Sequence, residues 1–463
     1  VSIALRDYQT RLINRARAQM ARGKKRVLCV MPTGAGKTVT AAAMVESAIA
    51  KGRRVGWLAH RSELVEQAAT TLERFGLDVG VVSAKSRRSP APLAPVQVCS
   101  IQTLLARQSD RPKLDMLVWD EAHHANDSAE EWTGLLASYP GVRIVGLTAT
   151  PECGNGAGLG GSFDAIVVGP TVRELMALWE QDHTQGLVPC RWVGPDRMLE
   201  PGQIAQDPVV GYREYGRGER GEWRQAILFA KSVEEAHRYA AAFNAAGVRA
   251  ECVTGMTGNA DREASLELFR RGVVRVLTNV YVLTEGTDLP MAEVIMLARG
   301  AGSASIYLQM VGRGLRPSPG KTSCLLWDGR GVAHLHGYPD DERAYSLEGR
   351  GITLVREAAC AVCRKPLGDG YPCSRCGYEP EAATSEGTGE TEVVGVPMSP
   401  ARRWGSAADE QQRTRTLLKW AREVVARGQK PGVLRYKWRG VFGDELSPAR
   451  LQWALEEVRR GAA

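Results

Sequence analysis

Short apolar runs of four to six residues, rich in Val, Ile and Leu, recur along the first 330 residues with helix-length stretches between them. A strand that is apolar at every position is buried on both faces, and a sheet covered on both faces by its own crossover helices is a parallel one. One series of runs comprises Val27–Met31, Val55–Ala59, Val96–Cys99, Met116–Trp119 and Val142–Leu147. A second comprises Ala226–Ala230, Arg249–Val253, Val274–Leu277, Val294–Leu297 and Ser323–Trp327. The Gly- and Pro-rich stretch 186–225 between them divides the chain into two α/β lobes. In the second lobe, Ser232 followed three residues later by Glu235 predicts a helix start closed by a capping box.

At 463 residues the chain exceeds what one core supports, and two or three domains are expected. An apolar content of 44% and a charged content of 24% are those of a soluble globular protein. The net charge of +8 fits an anionic partner without identifying one. Charged residues among the first 30 argue against a signal peptide, and no apolar run approaches the roughly 18 residues of a membrane span. A cytoplasmic location without membrane contact is the expectation. Cys29, Cys99, Cys153, Cys190, Cys252 and Cys324 are scattered singly and read as small buried hydrophobes. Residues 381–400 are acidic and rich in Gly, Ser and Thr, the composition of a flexible linker. Beyond them, 401–463 holds 14 Arg and Lys against 7 Asp and Glu, with Trp404, Trp420, Trp438 and Trp453 interspersed. Those tryptophans fit either the core of a small helical domain or a platform for stacked bases.

The segment MPTGAGKT (31–38) follows one predicted strand and precedes a predicted helix, Val39–Ala50. Gly34 and Gly36 allow backbone N–H groups to turn toward phosphate oxygens, with the positive end of the helix behind them. Lys37 reaches the outer phosphates, the Thr38 hydroxyl ligates Mg2+, and Thr33 completes the loop. Asp120 and Glu121 follow the strand Met116–Trp119. A carboxylate at a strand's C-terminal end is placed to hold Mg2+, the expected role of Asp120. Glu121 beside it is the candidate base for the attacking water.

These two motifs, in series with those that follow, resemble superfamily 2 helicases of the DEAH-box-like kind over roughly residues 3–330. The resemblance implies two tandem RecA-like lobes, ATP and Mg2+ as cofactors, and a nucleic-acid strand as partner. LRDYQ (5–9) resembles the adenine-reading segment, in which Gln9 would pair with the base edge and Arg6 would support it. LAHRSELVEQ (58–67) and SIQTL (100–104) resemble motifs Ia and Ib. LTATP (147–151) resembles motif III, whose Thr148 and Thr150, with His123 of motif II, couple hydrolysis to lobe movement. Many relatives place a basic residue just after Thr-Pro, whereas this chain has Glu152-Cys153-Gly154.

VLTNVYVLTEGTDLP (276–290) resembles motif V, which makes Gly286 and Asp288 nucleotide contacts and Thr278 a phosphate-backbone contact. Asn279 stands where many helicases have Asp. QMVGRGLRPSPGK (309–321) resembles motif VI, in which Arg313 and Arg316 are arginine-finger candidates and Gln309 joins their network. By motif position, Arg61, Thr103, Lys231, Thr254 and Thr278 are candidate nucleic-acid contacts, with His60 a weaker one. Such contacts go mostly to phosphates and are indifferent to sequence.

Cys360-x-x-Cys363 and Cys373-x-x-Cys376, nine residues apart, have the spacing of a tetrahedral Zn2+ site. Four thiolates leave no open position, so the expected role is structural. The second His (His124), the segment YLQMVGRGLRPSPGKTSCLLWD and the four-Cys module together resemble RadD-type DNA repair proteins and their phage relatives. The expected organisation is a first lobe over 1–200, which binds ATP, and a second over 201–350. A zinc module (351–380), a linker (381–400) and a basic helical domain (401–463) follow. The expected activity is a nucleic-acid-stimulated ATPase acting on single-stranded or branched DNA. Recombination or single-strand-binding proteins are candidate partners, and a monomer is favoured. The alternatives are an RNA helicase, or a DNA-binding recombination accessory whose ATPase is incidental. No cluster suited to a metal-dependent nuclease remains.

Overall fold

The computed structural model describes residues 4–349 apart from 60–61, 85, 87, 89, 108–109, 127–128, 154–155, 219–220 and 285–286, together with 352–354 and 391–404. It also describes positions 417–418, 420–422, 424–425, 433–434, 451–452, 454–455 and 458. Two compact units result, Val1–Arg403 and Trp404–Ala463.

The first sheet contains β1 (Arg26–Val30), β2 (Val55–Ala59), β3 (Val79–Val82), β4 (Val96–Ser100), β5 (Met116–Trp119), β6 (Arg143–Thr148) and β7 (Ala165–Val168). Their order is β3-β4-β2-β5-β6-β1-β7, and every pairing is parallel. The helices α1 (Asp7–Ala21), α2 (Lys37–Ile49), α3 (Ser62–Arg74), α4 (Ile101–Ala106), α5 (Ala129–Ser138) and α6 (Val172–Gln181) belong to this half. Leu28, Val30, Leu58 and Leu117 of the strands pack with Trp119, Trp132 and Phe163. The Trp119 and Trp132 rings sit 5.0 Å apart and tilted, a geometry that adds to the burial of their apolar area.

The second sheet is drawn from β8 (Cys190–Pro195), β10 (Ala226–Phe229), β11 (Ala250–Cys252), β12 (Val276–Asn279), β13 (Val294–Leu297), β14 (Cys324–Asp328) and β18 (Met398–Trp404), in the order β11-β12-β10-β13-β14-β8-β18. Two short pairs stand apart from it: β9 (Gln203–Ile204) with β17 (Glu392–Val393), and β15 (Arg343–Tyr345) with β16 (Ile352–Leu354). Its helices are α7 (Pro208–Tyr215), α8 (Val233–Ala245), α9 (Asn259–Arg270), α10 (Ala304–Gly312) and α11 (Val332–His336). Trp327, Tyr212, Tyr239 and Phe243 centre its core. The fold is therefore α/β, with two parallel-sheet RecA-like lobes.

Three expectations need correction. Cys190–Pro195 pairs in parallel with β14, so the second sheet begins upstream of the boundary placed at 200. The part of 381–400 that is described does not behave as a linker. Val393 pairs with Ile204, and β18 continues the second sheet beside β8. Composition hid this because an edge strand needs only its backbone groups to pair. At α8 only half of the capping box forms. Ser232 Oγ accepts the Glu235 N–H at 3.1 Å, whereas the Glu235 carboxylate turns to Lys231, Arg238 and the backbone N–H of Thr391.

Within Trp404–Ala463, Leu417, Ala421, Val424, Leu434, Leu451, Ala454 and Val458 form a small core with Trp420 packed against it. That contact favours the packing explanation for Trp420.

Candidate active site

The P-loop is built by two glycines that only left-handed backbone could place. Gly34 and Gly36 have φ of +88° and +83°, and α2 starts directly at Lys37. A Cβ on Gly36 would lie 2.6 Å from Gln9 Nε2. That approach is made because Gln9, buried in α1, donates from Nε2 to the Gly36 carbonyl at 3.3 Å and accepts the Arg6 N–H at 2.9 Å. Gln9 therefore braces the loop with its amide nitrogen, while its oxygen closes the start of α1 at Arg6. Tyr8, which sequence reading passed over, also braces it: its hydroxyl donates to the Ala35 carbonyl at 3.1 Å and receives Arg6 at 2.9 Å.

Between β1 and β5 lies only β6, so the P-loop, Asp120-Glu121 and Thr148 emerge side by side from one end of the sheet. Lys37 Nζ lies 3.9 Å from Glu121 Oε1. Glu121 is the one non-glycine residue of positive φ (+49°) among the described residues, and its N–H donates to Asp120 Oδ1 at 3.0 Å. Backbone held in this region stores about 1–3 kcal/mol and gathers at functional sites. Glu121 Oε2 is buried and accepts no hydrogen bond from the described residues, with His123 Nδ1 3.6 Å away. A buried acceptor in that condition suits a group that takes a proton from water.

From Glu121 a chain of contacts leads across the cleft. His123 Nδ1 is 3.2 Å from Thr148 Oγ1, and its Nε2 is 3.3 Å from Gln309 Nε2 of the second lobe. The Gln309 amide can only donate to that nitrogen, so the imidazole proton belongs on Nδ1 and is given to Thr148. Thr148 Oγ1 in turn donates to the Thr150 carbonyl at 2.7 Å. Thr150 Oγ1 lies 2.5 Å from Ser305 Oγ in α10.

The second lobe also meets the P-loop directly. A Cβ on Gly34 would sit 3.0 Å from Arg316 Cγ, and one on Gly312 would sit 2.6 Å from Thr33 Cβ. Arg316 thus lies against the phosphate-binding loop, paired with Asp288 at 2.6 Å, and its buried Nε meets no acceptor among the described residues. Arg313 is placed otherwise. It is buried and donates to the Thr284 carbonyl at 3.0 and 2.5 Å, and again to the Thr287 carbonyl. Of the two arginine-finger candidates, the structure puts only Arg316 at the P-loop, because the motif V loop supplies Arg313 with three carbonyl bonds of its own. Asn279 ties the motif V loop to β10: its amide donates to the Leu228 carbonyl of that strand and accepts the Leu283 N–H of the loop, and Asp could not do the first.

The expected strand contacts that are described bond to groups of their own lobe. Thr278 is fully buried and donates to the Ala236 carbonyl at 2.7 Å. Thr254 is buried too, its hydroxyl accepting the Met256 N–H at 3.2 Å. Lys231 lies under the surface, 3.7 Å from Glu235. Thr103 is half-buried and accepts the Ala84 N–H at 3.2 Å. A small hydroxyl at a strand end closes turns and helix ends as readily as it meets a phosphate, and motif position cannot tell the two apart. His60, Arg61, Gly286 and the four clustered cysteines lie outside the described residues. Among the described residues no cluster of metal-ligating side chains is found, and no helix is long and apolar enough to cross a membrane.

The family model for the Type III restriction enzyme res subunit matches residues 2–153, and that for the helicase conserved C-terminal domain matches 212–318. The chain belongs to the superfamily 2 helicases. The chain is 27% identical over 355 residues to a Saccharomyces cerevisiae protein named as the ATP-dependent helicase IRC3, covering 70% of this chain and 51% of that one. It is 26% identical over 383 residues to a Halobacterium salinarum protein named as the DNA 3'-5' helicase Rad25, covering 77% and 59%. This helicase therefore spans between half and three fifths of these relatives' length. Its fold is similar to that of an HsdR subunit fragment of a type I restriction enzyme from Vibrio vulnificus, with a TM-score of 0.55 at 22% identity over 75% of this chain and 70% of that one. ATP and Mg2+ are the cofactors typical of the family.

Proposed function

We propose that this helicase hydrolyses ATP between its lobes to move along DNA, in the cytoplasm and in the service of repair or recombination, as RadD-type proteins do. The observation that carries the proposal is the approach of Arg316 to the P-loop from the opposite lobe, with a buried Nε that meets no acceptor among the described residues. A γ-phosphate beside Gly34 would supply that acceptor, and the cation would neutralise charge that develops on the phosphoryl oxygens. Thr38 and Asp120 would hold Mg2+, which supplies charge neutralisation at the phosphates. Glu121 would take the proton of the attacking water.

DNA is favoured over RNA because restriction-enzyme and DNA-helicase names recur among the matches. Cys360, Cys363, Cys373 and Cys376 would hold a structural Zn2+. One equivalent of zinc in the purified protein, lost in Cys363→Ser, is the expected result.

The test is steady-state ATPase activity with single-stranded, forked and branched DNA, with RNA, and with no nucleic acid. Stimulation by DNA well above RNA, abolished in Lys37→Ala, is expected. Equal hydrolysis with and without nucleic acid would remove the coupling to a strand, and preferential stimulation by RNA would move the substrate class.

A further inference from the structure

Directly after Thr150-Pro151 the chain carries a carboxylate, Glu152, and the structure buries it to 4% exposure. Glu152 Oε1 accepts the backbone N–H of Ser305 at 2.9 Å. Ser305 is the second residue of α10 in the other lobe, and the N-cap of that helix, Ser303, accepts the Ile306 N–H. The first N–H groups of a helix have no acceptor within it. In α10 one is met from its own lobe, by Ser303, and another from the opposite lobe, by Glu152. Beside this bond Thr150 Oγ1 meets Ser305 Oγ at 2.5 Å, so two residues of the first lobe hold one residue of the second.

The far end of α10 carries the groups that meet the nucleotide site. Gln309 bonds His123, Gly312 rests on Thr33, and the chain continues through Arg313 to Arg316. Nine residues of helix connect the docked end to these groups as one rigid rod. The sign of the charge at 152 also matters. A carboxylate is attracted by the positive N-terminal end of α10, whereas a basic residue there would be repelled by it.

We propose that Glu152 is a positioning residue for ATP hydrolysis, a second acceptor for the first turn of α10, supplied across the cleft, that fixes this helix and so delivers Arg316 to the P-loop. The proposal rests on the ATPase reading of the cleft. The bond exists only while the lobes are docked, because separating them returns both partners to water. Its free energy therefore favours docking rather than the folding of either lobe.

The test uses the full chain and the variants Glu152→Ala and Glu152→Gln. Loss of a cap of this kind should lower kcat by roughly tenfold in Glu152→Ala. The Kd for a fluorescent ADP analogue, held by first-lobe residues, should change by about twofold or less. Glu152→Gln keeps an acceptor oxygen and should recover most of the loss. A pair of spin labels, one on each lobe, should report a longer and broader distance in Glu152→Ala and a near-normal one in Glu152→Gln. That readout needs no turnover, so it stands even if the wild-type protein shows no DNA-stimulated hydrolysis. Ser305→Pro removes the donor amide together with the hydroxyl that meets Thr150, and proline is tolerated in a first helical turn. It should reproduce the defect beyond whatever Ser305→Ala causes. Wild-type kcat and an unchanged distance in Glu152→Ala would overturn the proposal, as would equal losses of kcat and thermal stability in the Ala and Gln variants.

Discussion

Arg313 and Arg316 lie three residues apart in the sequence, and their surroundings give them different tasks. Arg313 satisfies carbonyls of Thr284 and Thr287, so Arg313→Ala would leave buried acceptors without donors. The expected loss is about 1–3 kcal/mol of folding stability, read as a fall in Tm. Arg316 holds its lobe's Asp288 and touches Gly34, with one donor unmet among the described residues. Arg316→Ala should leave Tm within a degree or two while lowering kcat by roughly a hundredfold or more. If the two phenotypes were exchanged, the assignment of roles would be wrong. Lys321 gives a separate test by pH. It is buried, its ammonium donates to the Pro290 and Ala292 carbonyls at 3.0 and 2.5 Å, and burial pulls its pKa from 10.5 down to about 8. Between those values the unfolded chain keeps the proton that the folded chain has lost, so stability rises with pH across this window. As pH falls to about 8 the gain is gone, and below that the contribution is flat. Denaturant melts of wild type and Lys321→Met should therefore diverge in slope between pH 8 and 10.5, with the variant the flatter.

At the scale of elements, the P-loop separates strain from contact. Gly23 and Gly36 both have positive φ, but a Cβ at Gly23 meets nothing within 4 Å, whereas at Gly36 it meets Gln9 Nε2 at 2.6 Å. Gly23→Ala should cost about 1–2 kcal/mol in stability and leave ATPase activity intact. Gly36→Ala should lose that much and, in addition, displace the Gln9 brace, with ATP hydrolysis falling by at least about tenfold. Adding Gln9→Ala should relieve the collision without relieving the backbone. Equal ATPase rates in Gly36→Ala and wild type would show that the loop geometry is not needed. The same contrast marks what could be read from the chain alone. Most of the strands were legible as short, mainly apolar runs, and the P-loop because its glycines, lysine and threonine stand in fixed order. The edge strands β3, β7 and β18 were not, since edges bury less and carry weaker patterns, and β8 was hidden inside the Gly- and Pro-rich stretch that divides the lobes. The structure brings Lys37 and Glu121 to 3.9 Å of each other, as neighbours on the strand ends that carry them. The bonds of Thr254 and Thr278 to their own lobe left no mark in the sequence, because a hydroxyl's direction is set by tertiary contacts. The positive φ of Glu121 and the brace by Tyr8 left no mark in the sequence that spacing could find.

For the whole molecule, the question is whether docking of the lobes is itself the catalytic event. Two contacts, Gly312 on Thr33 and Gly34 on Arg316, bring the lobes together so tightly that no side chain fits between them. Gly312 ends α10 with helical backbone, so Gly312→Ala adds no strain there and gains up to about 1 kcal/mol in helix propensity. Its new Cβ would nevertheless stand 2.6 Å from Thr33 Cβ, where atoms cannot remain, and the lobes must separate by a fraction of an ångström or more. Folding stability should hold or rise while kcat falls by at least about tenfold, since misplacing a reacting group by about 1 Å is enough for such a loss. Thr33→Gly in the same chain removes the opposing atom and should return part of the rate, although Thr33 belongs to the P-loop and full recovery is not expected. Stopped-flow measurement of a single turnover, alongside calorimetric Tm, separates the two effects. A Gly312→Ala enzyme that turned over at the wild-type rate would mean that hydrolysis proceeds on one lobe alone, and that the arginine at the cleft serves some step after it.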